Sequence, residues 1–158
     1  MTKKEAAERA QVVAAARLWL KTPWKHRSAV LGSGIDCARH LLETGVRSGM
    51  VERFDPSFYT ADWHWHRNEE RFLDVVREHT TEVSDTDAPI AMREPGFSVR
   101  PGNVLIWQNG RTFSHGAIVG EWPMIVHASW PARICLEESV YGGILEVCPV
   151  RIFSYWGS

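Results

Sequence analysis

Residues 101–129 read PGNVLIWQNGRTFSHGAIVGEWPMIVHAS, and this stretch decides the fold class. Val104 to Gln108 is an apolar run of strand length. Asn109-Gly110, the strongest short hairpin signal, follows it, and Phe113 to Val119 returns. Met124 to Ser129, Arg133 to Leu136 and Ile144 to Phe153 supply further strands. Upstream the pattern is helical. Thr2 and Glu5 form a capping box, and Ala6, Ala10, Val13, Ala14 and Leu18 recur at helical spacing. That helix is expected to stop near Thr22, because Pro23 restricts the residue before it. Asp36 stands where an N-cap belongs, Ala38, Leu41 and Leu42 begin a second apolar stripe, and Gly49 is a natural stop. Residues 52 to 67 form an aromatic loop, after which Asn68 caps a short helix to His79 carrying Phe72, Leu73, Val75 and Val76. Helices first and an antiparallel sheet after predict an α+β fold in a single domain over residues 1–158.

Bulk numbers narrow the function. The 158 residues suit one core, and 44% apolar with 23% charged residues is ordinary for a globular protein. A formal net charge of -1 and no Lys/Arg block give no reason to expect a nucleic-acid partner. No apolar run approaches the ~20 residues a membrane span needs, so no membrane insertion is expected. The start MTKKEAAERA lacks the apolar core of a secretory signal, which predicts synthesis in the cytoplasm and another exit route to any outside target. Three cysteines without a CxxC argue against a disulfide framework or a zinc knuckle. Eight tryptophans, several in loop-like stretches, suggest recognition surfaces.

The residues that could do chemistry begin with Cys37, in the first turn of a predicted helix. Unpaired N–H groups and the positive end of the helix dipole favour thiolate there, and the same N–H groups suit a developing oxyanion. A small buried hydrophobe is the bland alternative for any free cysteine. His115 and His127 change the balance. They are twelve residues apart on consecutive predicted strands, and a turn centred on Glu121 makes them face each other with Cβ atoms ~4.5–5.5 Å apart. Two facing imidazoles suit a base and its orienter, because one ring can fix the tautomer of the other. His64 and His66 beside Asp62 invite a zinc reading, but no convergent third or fourth ligand accompanies them, so no metal is expected. His40 reads as a surface or packed polar residue, and Cys135 and Cys148 as core strand cysteines.

On these residues the chain resembles a known family. Thr22-Pro23-Trp24, a Gly-containing loop and Gly34-Ile35-Asp36-Cys37 resemble the start of an NlpC-type cell-wall cysteine peptidase. Pro101-Gly102-Asn103-Val104-Leu105, Ser114-His115-Gly116-Ala117-Ile118-Val119 and Ile125-Val126-His127-Ala128 look like its strand block. The loop Tyr59-Thr60-Ala61-Asp62-Trp63-His64-Trp65-His66 looks like the leaderless branch encoded by bacteriophages, prophages and gene-transfer particles, which is associated with phage tails. The resemblance implies a papain-like fold and hydrolysis of a peptide bond in the peptidoglycan stem, of the D-γ-glutamyl-diamino acid type, without a cofactor. It places Cys37 as nucleophile, His115 as base and His127 as the third polar residue. It also implies a substrate subsite at Asp36, and phage-like tail proteins as partners of a particle acting in the periplasm or cell wall. Beside it, Trp24, Arg39 and the loop residues Trp63 and Trp65 are candidate substrate contacts of this chain's own.

Three departures stand out. Ala38 and Arg39 follow the cysteine where relatives have a small residue and Gly, Trp24 replaces Tyr, and His-Gly-Ala replaces His-Val-Gly. Arg39 opposes the helix dipole, so a compensating carboxylate is expected: Glu43 four residues on, Asp36, or one on the substrate. Two other functions stay open. One is a different thiol acyl enzyme on the same fold, an amidase or a lipid acyltransferase. The other is a non-enzymatic tail-tip component.

Overall fold

The computed structural model describes residues 1–56 and 70–157. Among these residues three helices, α1 (Lys3–Arg17), α2 (Cys37–Arg47) and α3 (Arg71–His79), accompany eight strands. The strands are β1 (Ala29–Val30), β2 (Gly34–Ile35), β3 (Thr81–Glu82), β4 (Val104–Asn109), β5 (Thr112–Val119), β6 (Met124–Ser129), β7 (Ile134–Ser139) and β8 (Val150–Ser154). Strands β3 to β8 make one antiparallel sheet in the order β3-β8-β4-β5-β6-β7, as an α+β fold requires. Strand β4 is apolar at every early position because both faces are covered. Val104 and Ile106 join Val12, Ala16, Trp19 and Leu41 on the helix side, while Leu105 and Trp107 join Ala117, Val119 and Ile125 on the other.

Helix α1 starts as expected, with Thr2 Oγ1 accepting the Glu5 N–H at 3.1 Å. It ends earlier, at Arg17, and Lys21 takes the left-handed conformation at φ 70° before Thr22. Its buried face is also not the expected one. Ala6, Ala10, Ala14 and Leu18 face outward, and Arg9, Val12, Val13, Ala15 and Ala16 face inward. The helix is rotated because Arg9 is anchored across the fold. Its guanidinium donates to Pro101 O (2.9 Å) and Asn103 Oδ1 (2.6 Å), pairs with Glu5, and lies over the Trp156 ring at 4.2 Å. Apolar periodicity cannot see a buried cation with its own partners. Arg9→Met is expected to lower stability by about 2–3 kcal/mol in chemical denaturation, since Asn103 would lose a charged partner in the interior.

The hairpins set the positions of the two histidines. The β4–β5 turn is Gly110-Arg111, one residue later than expected, with Gly110 at φ 72° and Asn109 paired to Thr112. The register then shifts: Trp107 pairs with His115 but Gln108 with Phe113, so Ser114 is an extra residue on β5. Such a bulge re-aims its neighbours. Between β5 and β6, Val119 pairs with Ile125 and Ile118 with Val126, so the turn is centred on Trp122, not Glu121. His115 and His127 therefore share a face, but as diagonal neighbours and not as a directly opposed pair. The loop is odd in length either way, which preserves the shared face.

Strand β7 reaches Ser139, three residues past the expected end at Leu136. The predicted strand over Ile144 to Phe153 is only β8. Ile144 to Glu146 is a 3-10 turn with Ile144 67% exposed, and among the described residues no strand lies beside it to pair its backbone. Cys148 accordingly sits half-buried in a loop and not in a core strand, whereas Cys135 is buried on β7. Among the described residues, no helix is long and apolar enough to cross a membrane.

Candidate active site

Cys37 is the first residue of α2. Asp36 caps the helix, its Oδ1 accepting the Arg39 N–H at 2.9 Å, and C-cap Ser48 with Gly49 at φ 77° closes it. The Cys37 Sγ donates to Ser114 O at 3.5 Å, and the backbone of Gly116 acts on the sulfur in favour of thiolate. The thiol thus rests against the backbone on both sides of His115. The bulge at Ser114 turns that carbonyl toward the thiol.

Gly116 makes this approach possible. A Cβ there would press into Leu41 of α2 and lie 3.2 Å from Ile106 Cδ1. The Gly after the histidine, a departure in the sequence, has this physical reason. Gly116→Ala is expected to cost about 1–3 kcal/mol of stability, read by denaturation, by forcing α2 away from β5. It is also expected to cut activity by roughly 100-fold, because a displacement of about 1 Å is enough to do so.

The two imidazoles are bonded. His115 Nε2 lies 2.8 Å from His127 Nδ1, and His127 Nε2 lies 2.8 Å from Glu138 Oε1. Register explains the row: Ile125 pairs with Glu138 and His127 with Leu136, so Glu138 on β7 falls on the face that carries both histidines. Glu138 is missing from the sequence reading. The signal was its position two residues past Leu136, which becomes meaningful only once the β6–β7 register is known.

Burial governs the charges. It pulls His115 down to about 3, helped by the neighbouring His127 and His40. It also lowers His127, against the opposing pull of Glu138. Cys37 is pushed up to about 12 by burial and then by the negative charge of Asp36, although backbone N–H groups of Gly116, Ala38 and Cys37 act the other way. The expected preference for thiolate at the helix start is thus opposed by burial and by Asp36. Desolvation and the capping carboxylate act against the dipole and favour the neutral thiol, as burial favours the neutral imidazole at His115. His40 is fully buried, its Nε2–H donating to Ala16 O at 3.1 Å, and burial draws it down to about 4.

The remaining residues named from sequence take these places. Cys37, His115, His127, Trp24 and Asp36 line one cavity of about 1190 Å³, with Glu138, Trp130 and Tyr141. Trp24 meets Trp130 edge-on at 4.5 Å and stacks with His26. Asp36 is 2% exposed, and its Oδ2 accepts the Arg27 N–H at 2.7 Å. Arg39 is half-buried and is not among the lining residues. Glu43 forms no ion pair with it, spending its carboxylate on Arg53 (2.6 Å) and Arg47 (3.6 Å). The Arg39 Nε is buried without a hydrogen-bond partner among the described residues. Tyr59, Asp62, Trp63, His64, Trp65, His66 and Asn68 lie outside the described residues.

No protein-family model and no curated protein sequence matches the chain. Solved structures do. The NlpC/p60 domain of the peptidoglycan hydrolase SagA superposes with a TM-score of 0.58 at 18% identity, covering 91% of this chain and 97% of that one. NlpC1 from Trichomonas vaginalis gives 0.63 at 10% identity over 92% of this chain, but only 43% of its own length. An N-acetylmuramoyl-L-alanine amidase from Bacteroides uniformis gives 0.50 at 10% identity, covering 93% of this chain and 98% of that one. At these identities the likeness is one of architecture, and it settles that the chain has the papain-like NlpC/p60 fold.

Proposed function

We propose that the protein is a cysteine hydrolase of peptidoglycan, cutting a peptide bond of the stem at a D-γ-glutamyl-diamino acid junction. The observation that supports this most is the thiol of Cys37 seated against the backbone flanking His115, with His115 bonded to His127, in an NlpC/p60 fold. The neutral pair implies general-base catalysis. His115, with Nε2 engaged by His127, takes the Cys37 proton on Nδ1 as sulfur attacks the carbonyl. The N–H groups of Cys37 and Ala38, in the unpaired first turn of the helix, then stabilise the developing oxyanion. The same imidazole gives its proton to the leaving amine, and water activated by it releases the acid from the thioester.

Trp24 forms one wall of the substrate cleft with Trp130, and Asp36 holds the nucleophile's helix and the Arg27 backbone beside it. From the sequence likeness we add Trp63 and Trp65 as substrate contacts, and phage-like tail proteins as partners of a particle acting in the periplasm or cell wall; Arg39 does not line the cavity and is not one of these contacts. Digestion of purified muropeptides with mass analysis of the fragments tests the function. The expected products carry a new D-glutamate carboxyl and a new diamino-acid amine. A break between N-acetylmuramic acid and L-alanine would make it an amidase instead. The apolar lining from Leu41, Leu42, Val51, Phe54, Phe72 and Val76 favours a second reading, an acyltransferase on lipid. Turnover of an acyl-lipid with none of muropeptides would establish it.

A further inference from the structure

We propose that Glu138 is a positioning residue of this site, setting through His127 the one tautomer of His115 able to accept the thiol proton. The inference rests on the reading of Cys37 as nucleophile and His115 as its base. It follows from hydrogen-bond bookkeeping on the row His115–His127–Glu138, whose two links are each 2.8 Å. An ionised carboxylate only accepts, so His127 Nε2 must carry a hydrogen to meet Glu138 Oε1. A neutral imidazole has one N–H, so His127 Nδ1 is left with a lone pair and accepts from His115 Nε2–H. His115 Nδ1 then also bears a lone pair, and it is the ring nitrogen that His127 does not engage, left to serve the thiol.

Without the carboxylate the row has a second solution. His127 would carry its hydrogen on Nδ1 and donate it to His115 Nε2, and His115 would hold its own hydrogen on Nδ1. A base already protonated at the working nitrogen takes nothing from a thiol. Two imidazoles facing each other are indifferent between these arrangements, and the asymmetry has to come from a third group. Among the described residues the titratable groups around the pair include Cys37 and His40 from α2, Asp36 at its cap and Glu138 from β7. His40 is fully buried and donates to Ala16 O, so among the described residues only Glu138 bonds the row. Glu138 also faces the charge that forms in the reaction. When His115 takes the proton, a nearby carboxylate linked through His127 steadies the imidazolium in a site that otherwise resists it. The side chain of Glu138 is 50% exposed, which lets it be replaced without opening the core.

The experiment uses Glu138→Gln and Glu138→Ala with two readouts. The imidazole nitrogens of uniformly nitrogen-15-labelled protein at neutral pH report tautomers without any substrate. Native protein should show both His115 and His127 as Nε2–H, and the variants should show Nδ1–H populations at both. On muropeptides, kcat should fall by roughly 10- to 100-fold with KM unchanged, less than the loss for the group that moves the proton itself. The melting temperature should stay put, since a partly exposed residue is being changed. Native tautomers other than Nε2–H, a kcat within about twofold of native in both variants, or an effect confined to KM would overturn the assignment. Failure of native protein to turn over muropeptides sinks the functional reading instead, and the tautomer measurement still decides what Glu138 does to the pair.

Discussion

Replacing Cys37 with Ala is expected to abolish turnover of stem peptides, by about 10⁴-fold or more, while leaving the protein folded. The loss is large because no second nucleophile is at hand. Cys135 is 1% exposed on β7, and Cys148, although it lines the same cavity, is not hydrogen-bonded to the backbone beside His115. The fold should survive because the thiol contributes one weak bond to Ser114 O, while the cap by Asp36 and the packing of Leu41 and Leu42 hold the helix. Removing the sulfur costs about 1 kcal/mol or less, which a melting curve would register as a small shift. The variant should also bind substrate without cutting it, so muropeptide affinity is the companion measurement.

His115→Ala is expected to cost roughly 10³-fold in kcat/KM, the contribution of a positioned general base. The pH profile of the native protein should identify the same group. A base must be neutral, and burial with His127 holds His115 down at about 3. Activity per folded molecule is therefore expected to persist at about pH 5, where an ordinary imidazole would be mostly protonated and inactive. Stability follows a different course. His40, His115 and His127 are neutral in the fold and take up protons on unfolding. Their contribution is complete above the ordinary imidazole value of about 6.5 and declines as the pH falls toward the folded values. An acid limb of kcat/KM near 6.5 in protein shown to be folded would mean that a different histidine, or none, acts as the base.

Much of this site was legible because it rests on local chemistry. Asp36 before Cys37 is a cap by residue type, and Gly49 ends the helix because it adopts φ 77° freely. Strand β6 runs over the very residues expected, Met124 to Ser129, since an apolar run between turn signals leaves little choice. The shared face of His115 and His127 followed from parity, which survives a shift of the turn from Glu121 to Trp122. Long-range decisions were not legible. Arg9 rotates α1 through partners ninety and more positions away. Ile144 to Val147 has strand-like composition but no neighbouring strand among the described residues. The charge state of Cys37 is set by how deeply α2 presses on β5, which no local rule supplies. Glu138 looks like any polar residue near a strand end until the β6–β7 register puts it beside His127.

The central claim, acyl transfer through the sulfur of Cys37, is tested most directly by trapping the intermediate. Protein mixed with a purified muropeptide and quenched in acid within the first turnover would be digested and mapped by mass spectrometry. The expected result is a stem-peptide fragment joined as a thioester to the peptide containing Cys37, released by hydroxylamine and missing from Cys37→Ala. Product formation with no acyl group on Cys37 at any time in the first turnover, or an adduct on Cys148 in its place, would contradict it.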